Sequence, residues 1–347
     1  LTPELDIRSN VALAPFTTLG VGGAARCFVE ALSEDEIIAA LGYGREHGLN
    51  IFILGGGSNL LVSDDGFDGL VIKVDIFGVQ FQFGEEHKVL VSAGAGEEWD
   101  DLVSVCVDLD LAGLECLSGI PGKVGGTPVQ NVGAYGQDVS ETIVSVRCID
   151  RETCEIIDLN ADECRFGYRS SIFNTAARDR YVVTSVNFLL EQNGKPKVEY
   201  RDLVQRFDKE DPTLSEVRKA VLAIRSSKSM VIDPLDPDSR SAGSFFKNPV
   251  ISLERFDELR SQWPAIPSFP AGDGSVKVPA AWLIENAGFA KGTRRGKAGI
   301  STKHTLALVN LGGAAAADII CLRDEIRQKV VEIFAIELMQ EPVFLAS

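Results

Sequence analysis

The chain has 347 residues, of which 45% are hydrophobic and 24% charged, an ordinary globular balance. Its formal net charge of −16 excludes a general nucleic-acid binder, which needs a basic face, and no run of about 18 uncharged apolar residues offers a membrane span. Seven cysteines without a C-x-x-C pair and three histidines without H-E-x-x-H argue against a disulfide frame or zinc hydrolysis and for reduced, intracellular thiols.

Leu1 to Asn10 is polar and lacks the apolar core of a signal peptide, so a cytoplasmic protein is expected. RCFVEAL (26–32) predicts a strand, and Ser33 with Glu36 three residues on predicts a capping box opening a helix. NIFILGGG (50–57), VIKV (71–74) and HKVLVSAG (87–94) predict further strands. Gly96 to Leu111 has Trp99, Leu102, Val103, Cys106, Val107 and Leu109 spaced for one apolar helix face. TIVSVRCID (142–150) and EIIDLN (155–160) predict a hairpin, followed by the strand RYVVTSVNFLL (180–190). After a polar break at 191–196, Thr213 and Glu216 form a second capping box for a helix to about Ser227. Asp233 to Ser241 is a Pro/Asp/Ser loop, helices are expected near 252–263 and 278–287, and STKHTLALVN (301–310) predicts a strand. A long helix over 315–335 and a final strand, IELMQEPVFL (336–345), complete an α+β pattern whose C-terminal half starts near residue 212.

Of the 33 glycines, 22 fall within residues 1–136, which points to backbone approached closely by a ligand. They cluster as LGVGG (19–23), LGGGSN (54–59) and SGIPGKVGGTPVQNVGAYG (118–136). LGVGG reads equally well as a tight turn. A Rossmann fingerprint from Gly55 would need glycine where Leu60 stands, and the nearest approach to a P-loop, Gly292 to Lys297, is one residue short. Successive N–H groups in glycine loops can nonetheless cradle phosphate without either fingerprint.

Three contexts could carry chemistry. FGYRSSIF (166–173) sets Arg169 among aromatic and hydroxyl residues, as either a structural salt bridge or an anion contact. SAGSFFKNP (241–249) sets Ser244 before two phenylalanines, as either a turn residue or a proton-donating hydroxyl at a dry site. Glu341 lies in an apolar C-terminal segment, as either an edge-strand device or a functional carboxylate.

These residues resemble the UDP-N-acetylenolpyruvoylglucosamine reductase (MurB) flavoenzymes over essentially the whole chain. The resemblance is carried by LGGGSNLLVSDDGFDGLVI (54–72), GLECLSGIPGKVGGTPVQNVGAYGQDV (113–139), CRFGYRSSIF (164–173) and SAGSFFKNP (241–249), in that order. It implies a two-lobed FAD-binding domain of the vanillyl-alcohol-oxidase (PCMH) type plus an α+β substrate-binding domain. The expected division is 1–75 for lobe 1, 76–211 for lobe 2 (PCMH-type domain about 20–191), 212–320 for the substrate domain, and 321–347 for a C-terminal helix and strand. In the family, NADPH reduces FAD, and the reduced flavin delivers hydride to the enolpyruvyl ether of UDP-N-acetylglucosamine, giving UDP-N-acetylmuramate for peptidoglycan.

Carried over by motif, Ser244 is the general acid, Arg169 stabilises the enolate-like charge and Glu341 assists. Gly55, Gly56, Gly57, Ser58, Asn59, Ile120, Pro121, Gly122, Gly125, Gly126, Thr127, Gln130, Asn131, Gly133 and Ala134 would line FAD, with Arg225 nearby. Tyr200 of the Y-x-D-L motif (200–203), Lys228, Asn248 and His304 would bind substrate. The C-terminus departs from a Pro-Glu-Val-Arg-like ending, which leaves Glu337 as the alternative to Glu341; Thr127 replaces a smaller residue, and the 233–240 loop is longer than expected. Neither His47 nor His87 lies in the glycine clusters, and 118–136 holds no Cys, so FAD is expected to be non-covalent, in a monomer with no bound metal. The basic stretch 293–303 is expected at a ligand entrance. Rival readings are an oxidase of the same flavin fold and a non-catalytic flavin- or nucleotide-sugar-binding module.

Overall fold

The computed structural model describes residues 3–208, 210–272 and 274–346. The chain divides into two compact units, each assembled from separate stretches. The first comprises Leu1–Val11, Ala25–Gly57 and Asp68–Ser227; the second comprises Ala12–Ala24, Ser58–Phe67 and Lys228–Ser347.

In the first unit a four-stranded sheet runs in the order Arg8–Ala12, Ala24–Ala31, Phe67–Val74, Asn50–Leu54. The last two strands are parallel. The helix Glu34–Glu46 leads into Asn50–Leu54. It starts at the expected Ser33, whose Oγ accepts the Glu36 N–H at 3.2 Å, while the Glu36 carboxylate accepts the Leu32 N–H at 2.7 Å. Glu36 therefore reaches one residue further back than a simple capping box requires.

An antiparallel sheet orders Ile156–Asn160, Ile143–Asp150, Tyr181–Gln192, Lys88–Gly94 and Val79–Phe83, with Leu111–Ala112 pairing the end of Tyr181–Gln192. The helix Trp99–Asp108 packs its apolar face on this unit's core, and the Trp99 indole N–H donates to the Leu117 carbonyl at 3.0 Å. It is shorter than the pattern over 96–111 suggests. Gly96 is held outside it by a bond from its N–H to the Ile76 carbonyl, and Asp110 turns the chain at φ 53°.

The helix Leu214–Ser227 opens at Thr213 as expected, with the Glu216 carboxylate accepting the Thr213 N–H at 2.8 Å. Val217, Ala220 and Val221 on its inner face cluster with Cys116, Leu203 and Phe207. That contact places the helix with the first unit, so the unit ends at Ser227, whereas the composition shift lies near 212.

The second unit contains the three-stranded sheet Val250–Ser252, Ser275–Lys277, Phe269–Pro270 and a second sheet, Arg294–Arg295, Ala298–Ile300, Leu308–Asn310. Its helices are Leu253–Gln262, Ala280–Asn286 and Ala316–Phe334, and its core gathers Phe245, Phe246, Leu283, Ile319 and Phe334. Leu60–Val62 and Val343–Leu345 pair in parallel. The Asp64 carboxylate caps the helix Ala316–Phe334, accepting from the N–H groups of Ala316 at 2.7 Å and Ala317 at 2.9 Å. Within LGVGG two glycines are close-packed on the protein itself: a Cβ on Gly22 would collide with Val62, and one on Gly23 with the Asp64 carbonyl.

Two expected strands are largely irregular. Of 301–310 only Leu308–Asn310 pairs in a sheet, because the side chains of Ser301 and Thr302 are drawn into hydrogen bonds that fold the preceding residues into a turn. Of 336–345 only Val343–Leu345 is a strand. Among the described residues no helix is long and apolar enough to cross a membrane, and no group of three or more His, Cys, Asp or Glu is placed to hold a metal. All seven cysteines are free thiols; burial pushes that of Cys106 up to about 12.

Candidate functional site

In the first unit the strand Asn50–Leu54 runs out into Gly55–Gly57, and this turn abuts the second glycine loop. A Cβ built on Gly56 would lie 2.7 Å from the Gly122 Cα and 3.0 Å from the Lys123 N. Such distances exclude a side chain, so glycine is needed for the two backbones to meet. Gly125 is likewise pressed against Ala95, with 2.6 Å between the built Cβ and the Ala95 Cβ. Gly55 and Gly126 differ: a Cβ on either meets no described atom within 4 Å. The loops thus present two side-chain-free edges backed by close-packed glycines. Thr127 faces inward, its hydroxyl donating to the Val124 carbonyl at 2.8 Å, which explains how a larger residue is accommodated there.

Arg169 occupies the tip of a tight turn in which Gly167 and Ser170 exchange backbone hydrogen bonds of 2.9 and 3.2 Å. Its φ of 51° is a left-handed value that costs energy for an arginine and needs support. Three ties to residues 129–133 provide it. The Asn131 amide donates to the Gly167 carbonyl at 3.1 Å, the Ser171 hydroxyl to the Val129 carbonyl at 2.6 Å, and the Arg169 guanidinium to the Gly133 carbonyl at 2.8 Å. Asn131 also accepts the Ser140 N–H at 3.1 Å, so both ends of its amide serve the protein. Gln130, Ile120, Pro121 and Ala134 are half-buried along the same loop.

Arg225, in the last turn of Leu214–Ser227, donates from Nε to the Gly119 carbonyl at 3.1 Å. The Gly119 N–H meets Asp100, which grips Arg218 through bonds of 2.6 and 2.9 Å. Burial works to raise the Asp100 pKa, but Arg218 and the Gly119 N–H outweigh it and hold the carboxyl below the usual range. Burial lowers the Arg225 pKa, and the nearby Tyr135 and Asp100 oppose that shift. Tyr135 hydrogen-bonds Arg225 and meets Tyr200 edge-on, with ring centroids 5.4 Å apart. Tyr200 precedes the short helix Arg201–Phe207. Tyr135 was present in the glycine-rich motif but carried no assignment from sequence; its spacing from Arg225 and Tyr200 hides the contact.

In the second unit the segment around Ser244 is sandwiched by backbone pairing. The Phe245 N–H donates to the Leu306 carbonyl at 2.7 Å, and the Phe245 carbonyl accepts the Glu341 N–H at 2.9 Å. Phe245 and Phe246 are fully buried, 0% and 1% exposed, and anchor the segment. The Ser244 Oγ lies 3.4 Å from His304 Nε2. The backbone of Phe245 thus ties the Ser244 segment both to Leu306, two residues after His304, and to Glu341.

Glu341 is half-buried, and its carbonyl accepts from the Asn59 amide at 3.3 Å. Glu337 instead is exposed and pairs with Arg327 at 2.5 Å. The Asn248 side-chain oxygen accepts the Ala280 N–H at 2.9 Å, fixing the start of the helix Ala280–Asn286 and directing its amide NH2 elsewhere. Lys228 opens the second unit's long stretch, and Ser58 accepts through its carbonyl from the Thr18 hydroxyl at 3.4 Å. In the basic stretch, Arg295 is committed to Glu325 at 2.7 Å and Lys303 to Asp236 at 2.8 Å.

Comparison with known proteins agrees with this layout. Residues 25–160 match the family model described as FAD binding domain, and residues 233–345 match that of the UDP-N-acetylenolpyruvoylglucosamine reductase C-terminal domain. The chain is 48% identical to UDP-N-acetylenolpyruvoylglucosamine reductase of Thermobifida fusca over 97% of each chain. It is 44% identical to that of Saccharopolyspora erythraea over 96% of this chain and 94% of the relative. Among solved structures, the reductase (MurB) of Thermus caldophilus is similar at a TM-score of 0.66 and 26% identity, with 99% of each chain covered. With relatives this similar over nearly its full length, the chain belongs to the UDP-N-acetylenolpyruvoylglucosamine reductase family.

Proposed function

We propose that the protein is an FAD-dependent, NADPH-using reductase that converts the enolpyruvyl ether of UDP-N-acetylglucosamine into UDP-N-acetylmuramate for peptidoglycan synthesis. The observation that carries this reading is the 3.4 Å approach of Ser244 Oγ to His304 Nε2, on a segment whose next residue, Phe245, pairs by backbone with Leu306 and Glu341. The glycine loops suit FAD. Gly56 and Gly122 let two backbones close up, while Gly55 and Gly126 offer edges that a pyrophosphate or ring can approach. Held there, FAD would supply the hydride relay from NADPH to the distal carbon of the enol ether.

The protein's part is positional and electrostatic. Hydride addition pushes negative charge toward the substrate carboxylate, and the Arg169 cation, on a turn held by three ties to residues 129–133, is the group assigned to that charge. The Ser244 Oγ–H is assigned to protonate the carbon next to the carboxylate. Glu341 supports that transfer; Glu337, ion-paired and exposed, is poorly suited to it. Tyr200 is assigned to the nucleotide, backed by Tyr135, and Lys228 and the Asn248 amide to other polar groups of the sugar nucleotide. We assign the protein to the cytoplasm as a monomer.

The test is direct. Purified protein should be yellow, bleach anaerobically with NADPH, and recolour on adding the enolpyruvyl-UDP-sugar. Recolouring by oxygen alone would indicate an oxidase of the same fold, and absence of NADPH bleaching a binding module. Colour that stays in the pellet after acid precipitation would refute non-covalent FAD.

A further inference from the structure

The 233–240 loop contains a carboxylate that the mechanism does not use. Asp238 is buried, 4% exposed, and one of its oxygens, Oδ2, accepts from the Ser301 hydroxyl at 2.9 Å, the Thr302 N–H at 2.7 Å and the Thr302 hydroxyl at 2.6 Å. Because the Ser301 O–H is spent on Asp238, its oxygen lone pairs face the other way. They accept the N–H groups of Lys303 at 3.1 Å and His304 at 3.2 Å. The turn is closed by the Ala307 N–H on the His304 carbonyl, and by Thr305 donating to Glu285. Asp236, on the same loop, adds an ion pair to Lys303 and accepts the Asp238 N–H at 3.1 Å. The whole assembly fixes the backbone of His304, whose ring Nε2 lies 3.4 Å from Ser244 Oγ.

We propose that Asp238 is a positioning residue for Ser244, acting through the Ser301–His304 turn. In this assignment His304 carries its proton on Nε2 and donates to the Ser244 oxygen, which leaves the serine's own O–H to be directed at substrate. In the reaction the Oγ–H bond breaks, the proton forms the new C–H bond, and the electron pair stays on Oγ, where the imidazole N–H steadies it. The imidazole keeps its own proton, and solvent restores that of Ser244 after product leaves. A long apo contact that tightens with substrate is normal for such a bond. The inference rests on the proton-donor reading of Ser244.

A double-mutant cycle in the holoenzyme tests it: Asp238→Ala, His304→Ala and the pair, read by stopped flow as flavin reoxidation by substrate and, separately, flavin reduction by NADPH. Each single change should slow reoxidation by about 10²-fold, the cost of a misplaced group. The pair should be no slower than the worse single variant, and Asp238→Ala should leave reduction by NADPH at the wild-type rate. Losses that multiply in the pair, or an Asp238→Ala defect equal in both half-reactions, would overturn the proposal while leaving the assigned reaction intact. A wild-type enzyme not reoxidised by substrate would overturn the functional reading, and this inference with it. If Asp238→Ala does not accumulate folded, Thr302→Val, which deletes one of the three bonds, replaces it in the same cycle.

Discussion

Adding a single methyl group at different glycines should separate folding from cofactor binding. At Gly56 an ordinary contact of 3.4 Å or more replaces 2.7 Å to the Gly122 Cα, so the two loops must part by about 0.7 Å. Both partners are backbone, which yields poorly, and overpacking of this kind costs about 1–3 kcal/mol. Gly56→Ala should therefore melt earlier even with flavin stripped. At Gly55 and Gly126 the methyl meets nothing within 4 Å, and neither has a positive φ, so Gly55→Ala and Gly126→Ala should leave the flavin-free protein as stable as wild type. If FAD packs against those edges, the same methyl intrudes on it, and about 1–3 kcal/mol lost weakens binding by about 5- to 150-fold. Thermal melts of stripped protein and fluorescence titration with FAD measure the two effects. Wild-type FAD affinity in both Gly55→Ala and Gly126→Ala would refute the cradle, as would a stripped Gly56→Ala protein that melts with wild type.

Other changes probe the second unit. Ser244→Ala should leave reduction by NADPH near the wild-type rate and slow reoxidation by substrate about 10²–10⁴-fold, with Glu341→Ala splitting the half-reactions the same way; an equal effect on both halves would mean that the serine is structural. Ser244→Cys should retain part of the activity, since a thiol also donates. Asp64→Ala removes the cap of Ala316–Phe334 and should cost about 1 kcal/mol in denaturant melts, with kinetics of the folded enzyme unchanged. Burial works to raise the Asp236 pKa, but Lys303, Ser229 and the Asp238 N–H hold it below its usual value. Its stabilising contribution is thus complete above the unfolded value of about 3.9 and lost as pH falls through the lower folded value. Asp236→Asn should flatten stability against pH in that acid window, and an unchanged acid limb would count against the ion pair.

Local rules were legible where local chemistry decides the structure. Ser33 and Thr213 announce their helices because the cap needs only residues within one turn. The strand 336–345 and much of 301–310 failed for the opposite reason. Their alternation is real, but the partners that decide pairing, Phe245 to Lys247 and Asp238, lie far away in sequence. Gly22 and Gly23 could not be told from ligand-binding glycines, since what they approach, residues 62–66, is set by the fold. Ser244 and Arg169 stood out through unusual neighbours. Asp238 did not, because an aspartate among prolines and serines reads as an ordinary exposed loop, and only its depth reveals the hydrogen bonds that it collects.

The parallel pairing of Leu60–Val62 with Val343–Leu345 has a consequence for how the protein comes into being on the ribosome. Leu61 is paired with Phe344, 283 residues later in the chain. At about 5–20 residues per second the early strand waits roughly 15–60 s with an unsatisfied edge before its mate emerges. For that interval the nascent chain offers an apolar template to chaperones or to neighbouring chains. Glu341 precedes that mate by only a few residues, so the carboxylate assigned to proton transfer emerges together with it. A chain cut short of that strand would hold the glycine loops but lack both the mate of Leu60–Val62 and Glu341.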